Sequence, residues 1–337
     1  MQKFDNRKRI GYIDFLKFIA LTGIIIAHVD SPNWMMMFRS FDVPCMVILS
    51  AFLAERSYQK YETKNFSTIS KYYISRIKRL VIPTWIFLCF YFFILIVFFK
   101  ERYSIKIYVF SFFLTRYGIG YVWIILIYLY GALLVPLFDK IGLSIKSIFL
   151  LSVVYFVYEI VYYFKVGVQY KFIDTTFYYI IPYGFLTYLG YNYRRMKIFT
   201  KYFIFIISGC LFLALAFFYY IKCGSFQRVD ITKYPPRLYY LCYGICCSVG
   251  LLLLCEKNNL KIYNNSIVKF ISIHSMWIYL WHILVLKFYD IFGFWKIWYI
   301  KLFFVYVVSI VIVLLVNKCL DIIERKKKFM FVKYLRG

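Results

Sequence analysis

The chain reads as an all-α integral membrane protein of about ten transmembrane helices, with both termini in the cytoplasm. Three observations carry that expectation. Of its 337 residues, 63% are hydrophobic and 24% aromatic, well above the roughly 45–50% apolar share of a soluble domain. The apolar residues gather into runs close to the ~20 residues that a bilayer span requires. Lys and Arg, finally, divide unevenly among the segments between those runs, as they do across a membrane.

The runs lie at about 10–29, 35–54, 81–99, 117–138, 146–164, 176–193, 202–221, 237–255, 266–287 and 298–320. The first, IDFLKFIALTGIIIAHV, is span length and lacks a small-residue cleavage site, so it reads as an uncleaved anchor. Arg39 and Asp42 interrupt the second and leave its limits the least defined. Pro83 stands at the opening of the third, whose aromatic stripe FYFFILIVFF reads as lipid-facing or packing surface. The apolar piece 103–115 is short, as a re-entrant or interfacial segment would be. Four more runs of similar length follow, and Pro235–Pro236 stiffens the start of the eighth. That span carries Cys242, Cys246, Cys247 and Cys255; the nine cysteines match no zinc or thioredoxin spacing and read as small packing residues. The ninth run holds His274 and His282, and the tenth precedes a basic tail.

With the N-terminus inside, 26 of the 42 Lys and Arg fall on inner segments and 14 on outer ones, which favours cytoplasmic ends. The net charge of +27 is then topology and attraction to anionic lipid headgroups. No RNA-binding or helix-turn-helix pattern accompanies it, so membrane lipid and not nucleic acid is the expected partner. Residues 1–337 read as a single membrane-embedded domain.

The basic stretch 55–80 reads as a cytoplasmic loop whose second half, FSTISKYYISRIKRLVIP, forms an amphipathic helix on the inner leaflet. Arg76 and Arg79 share a face of that helix. They suit either a polybasic anchor or an anion site, since guanidinium forks match phosphate oxygens. The outer stretch 222–237, with Asp230, reads as a solvated loop that can also meet a polar substrate.

Ionisable groups inside a span are costly and commonly face a cavity or pathway. The first span carries Lys17 and, eleven positions later, His28. At about 100° per residue the eleven steps end roughly 20° past three full turns and cover about 16 Å, so the two share a face. Asp14 lies on the same side and is expected to pair with Lys17. His28 is a candidate general base, imidazole titrating nearest neutrality. His282 suits either an aromatic-packed helix contact or a functional role, and His274 reads as interfacial. The three histidines are too scattered for a metal site. Walker A, Rossmann, HExxH and GxSxG patterns are missing. The residues after His28, Val-Asp-Ser-Pro-Asn, lack the His-x4-Asp arrangement of glycerolipid acyltransferases.

Four stretches in order resemble acyltransferase family 3, integral membrane proteins that acylate carbohydrates and other acceptors at bacterial surfaces. RIGYIDFLKFIALTGIIIAH is similar to the family's opening helix, with Lys17 and His28 in its basic-x10-His pattern, Lys replacing the commoner Arg. VPCMVILSAFLAE resembles the second helix through Ser50, Ala51 standing in place of glycine. SRIKRLVIP resembles the Arg-x-x-Arg element, with Arg76, Arg79 and Pro83. HSMWIYLWHILVL is similar to the Ser-x-x-Ile-Tyr-Leu-x-His stretch, through Ser275, Tyr279 and His282.

The resemblance implies a multi-pass O-acyltransferase of the bacterial cytoplasmic membrane, moving an acetyl group from acetyl-CoA to a sugar hydroxyl of a cell-surface polysaccharide or its lipid-linked precursor. Acyl-CoA is then a co-substrate, with no resident cofactor and no metal. Arg76, Arg79 and Lys17 would hold the CoA phosphates, and His28 would take the acceptor proton or first accept the acyl group itself. Asp14, Ser50, Ser275, Tyr279 and His282 would support them. Composition alone also suits a transporter, flippase or polymerase of lipid-linked glycans. A binding or regulatory subunit is a third reading, with Lys17 and Ala51 as its signs.

Overall fold

The computed structural model describes residues 9–326 apart from positions 62, 259 and 295. Its helices are α1 (Gly11–Ile26), α2 (Asn33–Phe38), α3 (Asp42–Tyr58), α4 (Phe66–Phe99), α5 (Ile105–Phe112), α6 (Trp123–Ile141), α7 (Ile145–Tyr163), α8 (Lys171–Asn192), α9 (Ile198–Cys223), α10 (Leu238–Lys257), α11 (Ser266–Ile273), α12 (Ser275–Phe292) and α13 (Trp298–Lys326). No β-strand occurs among the described residues.

Each of the ten apolar runs falls on helix, but seven helices are long and apolar enough to cross a membrane, or eight if α11 and α12, bent by 78° at their junction, count as one. The shortfall from ten has a physical basis. α1 has only 16 residues, and the tyrosine-rich α8 has 22 but is less apolar. Both bury much of their length against other helices. A helix shielded from lipid by its neighbours needs neither full span length nor an apolar surface all round. The lipid-facing work falls to α7, α9 and α13, which leave long rows of Phe, Leu, Ile and Val exposed. Cys89, Cys210, Cys223 and Cys319 are also exposed, so the packing role expected of the cysteines fits Cys45, Cys242 and Cys255, which are buried. Residues 1–8 and 327–337, which hold the termini expected in the cytoplasm, lie outside the described residues.

Within the segment 55–80 the helix expected from Phe66 is present, and the stretch between helices is short. α3 continues to Tyr58, and α4 starts at Phe66, where the Asn65 side chain accepts the Thr68 N–H at 3.0 Å. The amphipathic helix and the third span are one helix of 34 residues with Pro83 inside it. Proline removes one backbone hydrogen bond, which helices in apolar surroundings tolerate when a neighbouring hydroxyl serves the loosened turn. Thr84 Oγ1 donates to the Leu80 carbonyl at 2.7 Å. α5 is short, as expected of 103–115, and rests on α4, where Trp85 Nε1 donates to the Phe112 carbonyl.

α3 is the central helix, buried along most of its length. It approaches α8 closely at Gly190, where a Cβ would stand 2.3 Å from the Ile48 carbonyl oxygen and 2.9 Å from Ala51 Cβ. Ala51 is itself small at this crossing. Overpacking such a contact costs about 1–3 kcal/mol, so Gly190→Ala should lower the unfolding temperature in detergent by roughly 5 °C; an unchanged melting curve would show that the two helices separate freely.

α1 and the α11–α12 pair run alongside each other in the same direction: Tyr263 packs on Phe15, Ser272 meets Lys17, and His282 meets His28. The bundle therefore has a near end, at the start of α1, and a far end. Asp30, Asn33 and Arg228 meet their partners at the far end.

Candidate active site

A cleft of about 150 Å³ opens between α1, α3, α4, α6 and α12. Its polar lining is Lys17, Ser50, Arg76, Arg79, Tyr128, Ser275 and Tyr279; apolar side chains such as Leu21, Ile24 and Met46 make up the rest. Six of the residues singled out in the sequence thus meet in one place, although four different helices supply them. Asp14, His28 and His282 are not in the lining.

Helical periodicity explains the gathering. Lys17, Leu21 and Ile24 recur at i, i+4 and i+7 on one stripe of α1, and Met46, Ser50 and Leu53 do so on α3. Arg76 and Arg79 share a face one helical turn apart on α4. Arg79 is exposed, while the half-buried Arg76 holds its guanidinium 5.0 Å over the Tyr72 ring. None of Lys17, Arg76 and Arg79 has an ion-pair partner among the described residues. Three cations thus line one small cleft whose lining holds no carboxylate.

The expected pairing of Asp14 with Lys17 does not occur. Asp14 is bound through both carboxylate oxygens by Arg9, which folds back over the first turn of α1, and accepts the Ser272 hydroxyl at 2.6 Å. A guanidinium fork matches a carboxylate better than an ammonium does. Lys17 Nζ instead donates to the Ser272 carbonyl at 2.6 Å. Arg9, Asp14 and Ser272 therefore position Lys17 by tying α1 to the last turn of α11, just before the α11–α12 bend.

α1 is also shorter than its apolar run. It ends at Ile26, Ala27–Asp30 form a turn, and Asp30 takes a left-handed φ of 56° before Pro32. His28 lies in that turn, one helical step beyond Ile24 of the cleft lining. It faces His282, with Nδ1 to Nε2 at 3.1 Å and ring centroids 5.2 Å apart, and the Tyr121 ring stands edge-on at 4.9 Å. His282 is fully buried on α12, one step beyond Tyr279 of the lining.

With both rings uncharged, the hydrogen bonds set their tautomers. His282 Nδ1 is bonded to the Tyr279 carbonyl, an acceptor only, so that nitrogen carries the proton. His282 Nε2 then accepts, and His28 Nδ1 must donate to it. His28 Nε2 is left with its lone pair, as a base or nucleophile requires. The third histidine, His274, sits at the α11–α12 break near Asn317 of α13, away from this pair. No group of three or more metal-ligating side chains occurs among the described residues.

Several residues near this centre were not singled out in the sequence. Tyr121 and Tyr128 stand among 36 tyrosines, with no local signal to separate them from packing residues. Arg39 and Asp42 signalled themselves only as charges inside an apolar run. They form a buried ion pair at 2.5 Å.

A family model described as an acyltransferase domain matches residues 10–317 of the chain, nearly its whole length. Comparison with curated proteins and with solved structures returned no match.

Proposed function

Given that the chain belongs to this acyltransferase family, we propose that it transfers an acyl group, acetyl in the first instance, from acyl-CoA to a sugar hydroxyl of a cell-surface polysaccharide or its lipid-linked precursor. The observation that carries the donor half of this reading is the cluster of Lys17, Arg76 and Arg79 in one cleft, with no ion-pair partner among the described residues, whose walls lead towards the His28–His282 pair. Such a site suits the phosphates of CoA near the arginines, with the pantetheine arm extending between apolar side chains towards the histidines. With the near end in the bacterial cytoplasm, as the charge asymmetry favours, donor and acceptor approach His28 from opposite sides of the membrane.

In the proposed step His28 Nε2 accepts the proton of the acceptor hydroxyl while its oxygen attacks the thioester carbonyl. A C–O bond forms, the C–S bond breaks, and CoA leaves as the thiolate, which takes the proton from His28. His282 holds the reactive tautomer by accepting from His28 Nδ1. Tyr128, Ser50 and Ser275, on the cleft wall, are placed to orient the acyl-pantetheine end.

The donor assignment is tested by comparing acetyl-CoA with acetyl-pantetheine, which lacks the nucleotide and its phosphates, as donors to the full chain in lipid nanodiscs. The expected result is a loss of at least about 100-fold in kcat/KM for the truncated donor, since each charge-assisted contact is worth roughly 1.5–3 kcal/mol. Equal use of both would remove the phosphate role of the arginines. Failure to use either would favour glycan transport.

A further inference from the structure

The helices that line the cleft carry a second polar cluster one to two turns nearer the far end. Beyond Met46 on α3 come Asp42 and, in the preceding turn, Arg39; beyond Ile124 on α6 comes Trp123; beyond Ile24 after α1 comes His28. The loop between α9 and α10 packs against this cluster and contributes Lys233. Lys233 is not the solvated side chain its loop suggested. It is 4% exposed, and its ammonium lies 5.6 Å from the Trp123 ring and 5.4 Å from the Tyr234 ring, with no carboxylate partner among the described residues.

The nearby acids are already taken. Asp42 is bound to Arg39, and Asp230 is bound through both oxygens to Arg228. Burial pushes the Asp230 carboxyl up, but the Arg228 hydrogen bonds and charge override this and hold it below the usual carboxylate range. Around Lys233, Arg39 Nε is buried without a partner, and the buried hydroxyls of Tyr179, Tyr183 and Tyr240 meet no well-formed hydrogen-bond partner among the described residues. Trp123 links the cluster, packing on Tyr179, Tyr183 and Tyr234. Trp123 also lies two residues after Tyr121, whose ring stands edge-on to His28 at 4.9 Å, so the cluster adjoins the histidine pair.

A buried lysine whose ammonium lies near two aromatic rings with no ion-pair partner among the described residues, beside buried hydroxyls that make no well-formed hydrogen bond there, is costly to keep. Groups of this kind in one place beside a reactive imidazole suit a ligand that brings a negative charge and hydroxyls. We infer that this cluster binds the acceptor, and that the acceptor glycan carries an anionic group, a sugar carboxylate or a carrier-lipid phosphate, held by Lys233 and Arg39 Nε. The tyrosine hydroxyls bond the sugar, which presents a hydroxyl to His28 Nε2. This rests on the acyl-transfer reading above and names the acceptor class for it.

The experiment measures binding to the full chain in nanodiscs of three probes: a glucuronate-containing oligosaccharide, the same oligosaccharide with its carboxylate reduced to hydroxymethyl, and a polyprenyl-phosphate-linked neutral sugar. Wild type is compared with Lys233→Met and Lys233→Arg, and acetyl-CoA binding is recorded in parallel on each. The expected result is that one anionic probe binds at least tenfold tighter than the neutral one, that Lys233→Met abolishes this preference, and that Lys233→Arg retains it, with acetyl-CoA binding unchanged throughout. The preferred anionic probe identifies the source of the charge. Equal binding of all three probes, no binding of any, or a preference that survives in Lys233→Met overturns the inference. Acetyl-CoA binding without an anionic preference would leave the donor reading intact; an anionic preference without acetyl-CoA binding would remove the donor reading and keep the site. Melting curves verify that Lys233→Met is folded, and removal of a buried unpaired charge should leave the melting temperature unchanged or raised.

Discussion

His28→Ala should reduce acyl transfer by about 10²- to 10⁴-fold, the usual contribution of a positioned general base, while leaving acetyl-CoA affinity within about twofold. The separation of effects follows from position. His28 lies beyond the cleft lining, in the turn after α1, and touches His282 and Tyr121 rather than Lys17, Arg76 or Arg79. His282→Ala should also lower kcat, by less, because it removes the acceptor that holds the His28 Nδ1 proton in place but leaves the imidazole. Its loss should be accompanied by a changed pH profile of kcat, since the remaining ring is then free to take either tautomer. Mass spectrometry of quenched reactions distinguishes direct transfer, which leaves His28 unmodified, from an acyl-histidine intermediate, which adds the acyl mass to its peptide.

Arg76→Ala and Arg79→Ala should have the second-largest effect and the opposite signature. Each removes a cation that no carboxylate neutralises among the described residues, so donor affinity should fall about 10- to 100-fold per arginine, with kcat at saturating donor largely kept. Arg76, held over Tyr72 and half-buried, loses less freedom on binding than exposed Arg79 and should show the larger effect. Replacement by Lys should restore only part of the affinity, because an ammonium cannot make the bidentate contact. Titration of acetyl-CoA followed by released thiol gives both constants from one experiment.

The same residues show what was legible in the sequence. Lys17, Arg76 and Arg79 announce themselves because a charge in or beside an apolar run is costly, and their helical spacing fixes which face they occupy; that separate helices bring them to one cleft is a matter of tertiary packing. The His28–His282 contact was not legible. It joins positions 254 apart in sequence, and nothing local on either helix encodes the partner. The run of apolar residues also concealed the end of α1, since hydropathy carries no mark of the turn that Asp30 and Pro32 impose. Asp14 was assigned to Lys17 because only neighbours on the helix can be read by periodicity, whereas Arg9 reaches it from outside the helix. Lys233 was hidden for the converse reason: a loop rich in charge reads as solvated, and it is tertiary packing, with Trp123 of α6 beside the ammonium, that takes the side chain out of water. Span counting was least secure where a helix is central, as α1 and α8 show, because shielding by other helices relaxes the demand for length and apolar character.

The most direct test follows acetyl label from acetyl-CoA in nanodiscs holding the full chain, with a glycan acceptor present and free CoA thiol counted in the same samples. An acyl transferase of this type should move the label into a base-labile ester on the glycan, one acetyl for each thiol released, and His28→Ala should stop both while still binding the donor. Label that stays on CoA, with no thiol released and no ester formed in the presence of the glycan, would contradict acyl transfer from CoA.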